Sequence, residues 1–237
     1  MIKELNHIGI RSAHMEETIS FYQKTLGGQI IRDAASLDGK SRFVYIQIGV
    51  GVLELISVGD PANEGFAHVA FLLNGTIDEA YDRLKDQVHF TVLPKVAGSG
   101  DGKLAFFEDK SGAIFEIIER KENVRKPAFE TPLVKAYNNT TLYTENSRSD
   151  CAKFYVEEMG FSEQPDFRFV HGSDALCLME GATGTARIVF ETSDIENAHN
   201  AISKELAPGE IKTLEGGRRA FDLMGFSKET IQFFSKS

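Results

Sequence analysis

The stretch AFFEDKSGAIFEIIE, residues 105–119, predicts a β-hairpin whose second strand carries a single carboxylate. The residues DKSG at 109–112 are typical of a tight turn, because aspartate and serine hydrogen-bond to the nearby backbone and glycine tolerates the backbone angles of turns. The apolar runs on either side have the length and composition of strands. Glu116 is the one charged residue in the run AIFEII. The function of the chain depends on what this carboxylate faces.

The hairpin closes a unit that begins with another apolar run, GFAHVAFLL at residues 65–73. A helix is predicted to start at Thr76, because Glu79 three residues later completes a capping-box pattern. Further strands are predicted near 88–94, 103–108 and 113–119. The unit therefore consists of one strand, one helix and three more strands, which we write βαβββ.

The segment before it has the same plan. A strand is predicted near 2–10 and a helix over 14–26, which ends at Gly27. The helix is indicated by apolar residues that recur on one face: Met15, Ile19, Tyr22 and Leu26. Strands follow near 28–34, 42–48 and 51–57.

The second half of the chain repeats the first about 132 residues later. CAKFYVEEMGF at 151–161 corresponds to TISFYQKTLGG at 18–28, and ETIQFFS at 229–235 corresponds to AIFEIIE at 113–119. Such internal repetition predicts four copies of one structural unit. We expect a first module over residues 1–120, a charged, proline-containing linker over 121–134 and a second module over 135–237.

Composition excludes several classes of function. The chain has 237 residues, a net charge of −9 and two cysteines. An acidic surface repels nucleic acid, and without an apolar run of about 18 residues no membrane span is predicted. The N-terminus lacks the apolar region of a signal peptide, and two cysteines make no disulfide framework. We expect a cytoplasmic protein, monomer or homodimer, that binds a small-molecule substrate.

Two histidine–glutamate pairs recur at nearly the same spacing. His7 precedes Glu54 by 47 residues, and His68 precedes Glu116 by 48. Each histidine lies in the first strand of a unit and each glutamate in the last. Because side chains alternate along a strand, Glu54 shares a face with apolar neighbours and is expected to be partly buried. A buried carboxylate requires a compensating charge.

One divalent metal ion would compensate both carboxylates and use both imidazoles. The ligand types suit Zn²⁺, Ni²⁺, Co²⁺, Mn²⁺ or Fe²⁺. The alternative is that the two histidines are satisfied core residues and the two glutamates face solvent at sheet edges. The matched spacing favours the metal site.

At these residues the sequence resembles the vicinal oxygen chelate superfamily, which includes glyoxalase I, methylmalonyl-CoA epimerase, extradiol dioxygenases and the fosfomycin and bleomycin resistance proteins. The resemblance rests on NHIGIRS, FYQKTLGG, VLELI, FAHVAF and AFFEDKSGAIFEIIE. It implies an α+β fold in which four βαβββ units form two cup-shaped mixed β-sheet modules. It also implies one metal ion held inside a cup by His7, Glu54, His68 and Glu116, an order that looks most like glyoxalase I.

The resemblance suggests roles for single residues. Glu116 is the expected catalytic base, with Glu54 second, because a carboxylate beside a metal can take a proton from a carbon next to the chelated oxygens. Arg11 lies four residues after His7 on the same strand face and is expected either to contact substrate or to be a solvated arginine at the end of the strand. Tyr45, on a middle strand, is expected either to line the cup or to pack in the core.

The second half departs from this pattern. Its aligned positions are Asn139, Cys177, Arg187 and Gln232, which make no plausible set of metal ligands. We therefore expect one metal site per chain and a second module without metal. A complete site also requires unit one to pair with unit two, within the chain or across a dimer.

Three functions stay open at this point. The first is a metal-dependent isomerase or lyase of the glyoxalase I type. The second is an extradiol-type dioxygenase. The resemblance implies that such enzymes use two histidines and one carboxylate, usually in the C-terminal half of the chain. The third is a non-catalytic drug-binding resistance protein, whose relatives often lack the metal ligands.

Overall fold

The computed structural model describes residues 1–236 and forms two eight-stranded mixed sheets. The first sheet contains β1 Ile2–Ser12, β2 Gln29–Ala35, β3 Arg42–Ile48, β4 Gly51–Ser57, β5 Gly65–Leu73, β6 His89–Val96, β7 Lys103–Glu108 and β8 Ile114–Glu119. The second contains β9 Ala136–Thr144, β10 Ser162–Gln164, β11 Arg168–His171, β12 Asp174–Glu180, β13 Ala186–Glu191, β14 Lys212–Thr213, β15 Arg219–Met224 and β16 Thr230–Ser235.

Each predicted unit contains one helix. The four helices are α1 Met15–Ser20, α2 Ile77–Leu84, α3 Arg148–Lys153 and α4 Ile195–Ile202. The helix predicted over 14–26 begins as α1 and continues as a π-helical turn over Phe21–Thr25. The predicted capping box starts α2, because Thr76 Oγ1 accepts from Glu79 N at 3.3 Å and Glu79 Oε2 accepts from Thr76 N at 3.0 Å.

The strand order places the first and last strands of each unit at the centre of a sheet. In the first sheet the order is β2-β3-β4-β1-β5-β8-β7-β6, and the second sheet repeats it as β10-β11-β12-β9-β13-β16-β15-β14. Unit one therefore pairs with unit two within the chain, as a complete metal site requires. The fold is the expected α+β arrangement of four βαβββ units in two cup-shaped modules.

The two sheets share one hydrophobic core on their helix-bearing faces. Aromatic rings meet across the junction, with ring centroids of Phe71 and Phe161 at 5.9 Å and of Phe107 and Phe154 at 6.0 Å. Because these faces are covered by each other and by the helices, the opposite face of each sheet is left to form a cup.

The segment between the sheets is fastened by hydrogen bonds. Lys126 N donates to Gln47 Oε1 at 2.7 Å, and Arg125 Nη1 donates to Asp174 Oδ1 at 2.8 Å. The module boundaries at residues 120 and 135 stay a prediction. No helix within residues 1–236 is long and apolar enough to span a membrane.

Candidate metal centre in the first cup

Four neighbouring strands, β4, β1, β5 and β8, each supply one polar side chain to the floor of the first cup. The four side chains are Glu54, His7, His68 and Glu116. Gly9 lies opposite Glu54 on one side and opposite His68 on the other. Ala70 lies opposite both His7 and Glu116. The register of the sheet therefore brings together four residues that are far apart in sequence.

The side-chain atoms of this cluster converge closely. His7 Nε2 lies 3.0 Å from His68 Nε2, 3.0 Å from Glu54 Oε2 and 3.2 Å from Glu116 Oε2. One donor atom from each residue lies within 4.8 Å of the other three, and all four residues are buried. Two imidazoles and two carboxylates at this spacing fit a single divalent ion of the transition series.

Gly9 makes room for the His68 ring. A Cβ built on Gly9 would lie 2.3 Å from His68 Cε1 and 2.7 Å from His68 Nε2. Any other residue at this position would displace the imidazole from the cluster. Gly9 was not among the residues predicted from the sequence, although a glycine inside an apolar strand often marks a place where another group approaches the backbone closely.

Asn6 fixes the orientation of the His7 ring. His7 Nδ1 lies 3.0 Å from Asn6 Oδ1, and both residues are fully buried. Because an amide oxygen only accepts, Nδ1 carries the proton and Nε2 presents its lone pair to the cluster. Partners of this kind set the tautomer and the basicity of metal-binding histidines.

The charges within the cluster shift the pKa values of three of its members. Burial alone would lower the pKa of His68, but the carboxylates of Glu116 and Glu54 outweigh burial and raise it to about 9. Burial alone would raise the pKa of Glu54, but the charges and hydrogen bonds of the two histidines hold it well below its usual range. The pKa of Glu116 is lowered for the same reasons. The site is therefore built to hold positive charge between its carboxylates.

The two carboxylates differ in how they are held. Tyr45 OH donates a hydrogen bond to Glu54 Oε1 and accepts one from Arg120 Nη2 at 3.1 Å. Burial first, and then the charge of Glu54, raise the pKa of Tyr45 well above its usual value, so it stays a donor. Glu116 Oε2, by contrast, contacts only the two histidines, at 3.2 Å from His7 Nε2 and from His68 Nε2, and within residues 1–236 Glu116 has no hydrogen-bond partner outside the cluster. Glu54 is therefore held from outside the cluster, and Glu116 is not.

A cavity of about 190 Å³ opens above the cluster. Three basic side chains line it, Arg32, Lys95 and Arg120, together with the aromatic residues Phe43, Tyr45 and Phe106. Tyr45 therefore lines the cup. The loop residues Gly98 and Ser99 form part of its wall.

Arg11 does not reach this cavity. It lies opposite Ile56, which does line the cavity, but its side chain is exposed and is absent from the lining. Four residues of strand place Arg11 about 13 Å from His7. A shared strand face was therefore insufficient to bring Arg11 to the cluster. The arginines that line the cavity are Arg32 and Arg120.

The sequence pattern of the Glyoxalase/Bleomycin resistance protein/Dioxygenase superfamily matches residues 4–117. The first half of the chain is therefore similar in sequence to this superfamily. A lactoylglutathione lyase of Neisseria meningitidis is 29% identical over 143 residues, which cover 54% of this chain and 98% of the relative.

Two solved structures share the fold of this chain over almost its whole length. The 2,3-dioxygenase LapB from Pseudomonas sp. KL28 matches 100% of this chain and 93% of its own, with a TM-score of 0.69 and 17% identity. The Mn(II)-bound glyoxalase from Novosphingobium aromaticivorans matches 99% of this chain and 82% of its own, with a TM-score of 0.66 and 14% identity.

The second cup repeats the sheet topology of the first without the cluster. The positions equivalent in register to the four cluster residues are Asn139, Cys177, Arg187 and Gln232. Within residues 1–236, the histidine–glutamate cluster of the first cup is the one group whose side chains are arranged to hold a metal ion.

Proposed function

We propose that the first cup binds one divalent metal ion and catalyses a glyoxalase-I-like isomerase or lyase reaction. The substrate is a small molecule that is chelated through two adjacent oxygens, and a glutamate acts as the proton-transfer base. The observation that carries the proposal is the buried His7–Glu54–His68–Glu116 cluster at the floor of a cavity with a basic wall.

The donor set supports a metal ion. Two carboxylates held within 3.5 Å of two imidazoles in a buried site need a compensating cation. The tautomer set by Asn6 presents His7 Nε2 as a ligand atom. A bound divalent ion supplies Lewis-acid stabilisation of the negative charge that develops on the substrate oxygens.

The hydrogen bonds favour Glu116 as the base. A general base must release its present partners in order to take a proton. Glu54 Oε1 is held by Tyr45, which is itself held by Arg120. Glu116 contacts the two histidines of the cluster and, within residues 1–236, no hydrogen-bond donor outside it. Glu116 therefore accepts the proton from the substrate carbon in this proposal, while Glu54 stays fixed by Tyr45.

The cavity wall orients the substrate. Arg32, Lys95 and Arg120 face the cluster from one side and can bind a carboxylate of the substrate. Phe43 and Phe106 exclude water from the reacting atoms. The volume of about 190 Å³ accommodates the reacting end of a small substrate.

Metal content is the first test. Purified protein is loaded with Zn²⁺, Ni²⁺, Co²⁺, Mn²⁺ or Fe²⁺, freed of excess and analysed for bound ions. We expect about one ion per chain in wild type and in Arg187→Gln, a control in the second cup, and loss in Glu54→Gln and His68→Ala. Absence of any ion in wild type after loading would contradict the proposal and favour a metal-free drug-binding protein.

Activity is the second test. The hemithioacetal of methylglyoxal and glutathione is supplied to the metal-loaded protein, because a relative is a lactoylglutathione lyase. We expect turnover that a chelator abolishes and that added metal restores. Binding of a ligand that is unaffected by the chelator, without turnover, would point to a binding protein instead.

Ring cleavage by an iron-dependent extradiol dioxygenase is the second candidate, because LapB matches the entire two-module chain. Iron oxygenases of this kind typically use two histidines and one carboxylate and keep positions open. Here Glu54 supplies a fourth group beside that set. Oxygen-dependent cleavage of a catechol by the iron-loaded protein, retained in Glu54→Gln, would favour this candidate over the first.

A further inference from the structure

The second cup contains the larger open cavity. Its volume is about 750 Å³, against about 190 Å³ in the first cup. The four residues equivalent to the metal cluster all line it: Asn139, Cys177, Arg187 and Gln232. A cup that had kept only a packing role would be filled with apolar side chains. This cavity is instead lined by charged and polar side chains as well as apolar ones, and it has the volume of a small-molecule site.

The cavity is positively charged in an acidic protein. Four arginines line it, Arg148, Arg168, Arg187 and Arg218. Two carboxylates, Asp166 and Asp222, oppose them. The chain as a whole carries a net charge of −9. A concave surface with an excess of cations concentrates anions, so the second cup attracts ligands that the rest of the surface repels.

Arg148 pairs with Glu180 at 3.1 Å, but within residues 1–236 Arg168 and Arg218 have no carboxylate partner. Within residues 1–236, Arg168 donates only to neutral acceptors, Asn138 Oδ1 and O at 3.1 Å and Cys177 Sγ at 3.8 Å. Arg187 Nη1 lies 3.4 Å from Asp222 Oδ1, and Arg187 Nε is buried without a hydrogen-bond partner. A buried guanidinium donor without an acceptor is costly. A bound oxyanion would satisfy both side chains.

The floor of the cavity is apolar. Val189 and Phe234 are buried there at 4% and 6% exposure and form a small cluster on the cup side of the sheet. On the wall, the Arg148 guanidinium lies 4.5 Å above the Phe167 ring. Asp166 and Phe167 both have left-handed backbone angles, with φ of 63° and 53°. Backbone strain of this kind concentrates at ligand-facing positions.

We propose that the second cup is a binding site for an organic anion. A carboxylate or phosphate group of the ligand faces Arg168 and Arg187, and its apolar body lies against Val189 and Phe234. The site is separate from the metal cluster and does not depend on it. In this proposal one sheet topology, used twice, binds a metal ion in the first cup and an organic anion in the second.

The test uses two fluorescent probes of nearly the same shape. 1-Anilinonaphthalene-8-sulfonate carries an anionic group on an apolar body, and N-phenyl-1-naphthylamine is its neutral counterpart. We expect the folded chain to bind about one molecule of the anionic probe, with an affinity that falls as salt is raised. The neutral probe is expected to bind at least about tenfold more weakly.

Matched variants locate the probe. Arg187→Gln removes a proposed hydrogen-bond donor, and Arg218→Gln removes one of the positive charges that line the cavity, so each is expected to weaken binding about tenfold. Arg219→Gln is the control, since Arg219 is next in sequence to Arg218 but pairs with Glu196 outside the cavity. Arg32→Gln in the first cup is the second control. Both controls are expected to bind as wild type does.

Displacement of the probe by naphthoate or by naphthyl phosphate then distinguishes a carboxylate ligand from a phosphate ligand. Several results would overturn the proposal: no binding of the anionic probe, equal binding of the neutral probe, unchanged binding in both Arg187→Gln and Arg218→Gln, or weakened binding in Arg32→Gln. Circular dichroism of each variant establishes that it is folded. Arg218 is exposed, so its substitution leaves the core intact.

Discussion

The two cups share one sheet topology and differ in the residues at four equivalent positions. The first cup has two histidines and two glutamates, and the second has Asn139, Cys177, Arg187 and Gln232. In the first cup the side chains converge on one point within 4.8 Å. In the second, an arginine occupies the place of His68 and the cup stays open. The sheet determines where the four side chains point, and residue type determines what they can bind.

The difference extends to the residues that make room for these side chains. Gly9 and Thr141 occupy equivalent positions, opposite His68 and Arg187 respectively. The His68 ring fills the space that a Cβ on Gly9 would take. At the second position Thr141 Oγ1 instead donates to Asn139 Oδ1 at 2.9 Å. The cluster of the first cup therefore depends on a glycine opposite His68 as well as on its own four side chains.

The largest effect is expected when the first cup is given a residue of the second. In His68→Arg the new guanidinium would pair with Glu54 and Glu116 and occupy the centre of the cluster. We expect complete loss of bound metal, measured by elemental analysis of the loaded protein. Arg187→Gln, its counterpart in the second cup, is expected to keep about one ion per chain. Retention of metal in His68→Arg would show that the residue at this position does not decide whether a cup binds metal.

The next effect concerns the equivalent pair Glu116 and Gln232. Glu116→Gln removes the proposed base while keeping the shape of the side chain, so kcat is expected to fall by about 10³-fold with saturating metal. Steady-state kinetics and metal content are measured on the same samples, which separates loss of the base from loss of a ligand. If Glu54→Gln lost more kcat than Glu116→Gln at equal metal occupancy, the two roles would be reversed.

A smaller effect is expected at the glycine that accommodates His68. Gly9→Ala places a methyl group against the ring, and we expect metal affinity to fall about 10- to 100-fold, as when the support of a ligand is disturbed. Gly59→Ala is the control, because no atom lies within 4 Å of a Cβ built there. Competition with a chromogenic chelator measures the affinity. Equal metal affinities for the two variants would show that Gly9 does not contribute to metal binding.

The sequence was sufficient to predict the cluster, because the strand period and the internal repeat act together. His7, Glu54, His68 and Glu116 lie on the first and last strands of two units, and these strands are neighbours in the sheet. The spacing of the repeat and the strand period together therefore predicted which residues meet. They also predicted which positions of the second half correspond to these residues, as the strand register shows.

What surrounds the cluster was beyond the sequence. Arg120 follows the last strand of its unit but contacts Tyr45 from another unit, a distance of 75 residues along the chain. Arg11 was expected at the site, because it shares a strand face with His7, yet it lies too far along the strand. These contacts depend on side-chain reach and on how distant hairpins fold over the cup, which periodicity does not encode.

A further contrast between the two halves lies where the sheets meet. Tyr22 and Tyr155 are equivalent and fully buried. Tyr22 OH donates directly to Glu229 Oε1 at 2.8 Å, whereas Tyr155 OH donates to Ser111 Oγ at 3.2 Å, and Ser111 Oγ donates to Asp109. Glu229 also accepts from Ser227 N, at 2.9 Å. Burial is the main reason that the pKa of Glu229 is raised to about 7.

The smallest expected effect is on stability at this junction. The pKa of Glu229 is higher in the folded chain than in the unfolded chain, so the folded state binds its proton more tightly. The contribution of Glu229 to the free energy of unfolding therefore falls as pH rises from about 4.5 to about 7, by on the order of 3 kcal/mol. In Glu229→Gln this fall is expected to disappear, which leaves the variant more stable than wild type at pH 8. Urea unfolding at several pH values measures it, with the exposed Glu180→Gln as control. A variant that loses stability equally at all pH values would show that Glu229 acts only as a hydrogen-bond acceptor for Tyr22 and Ser227.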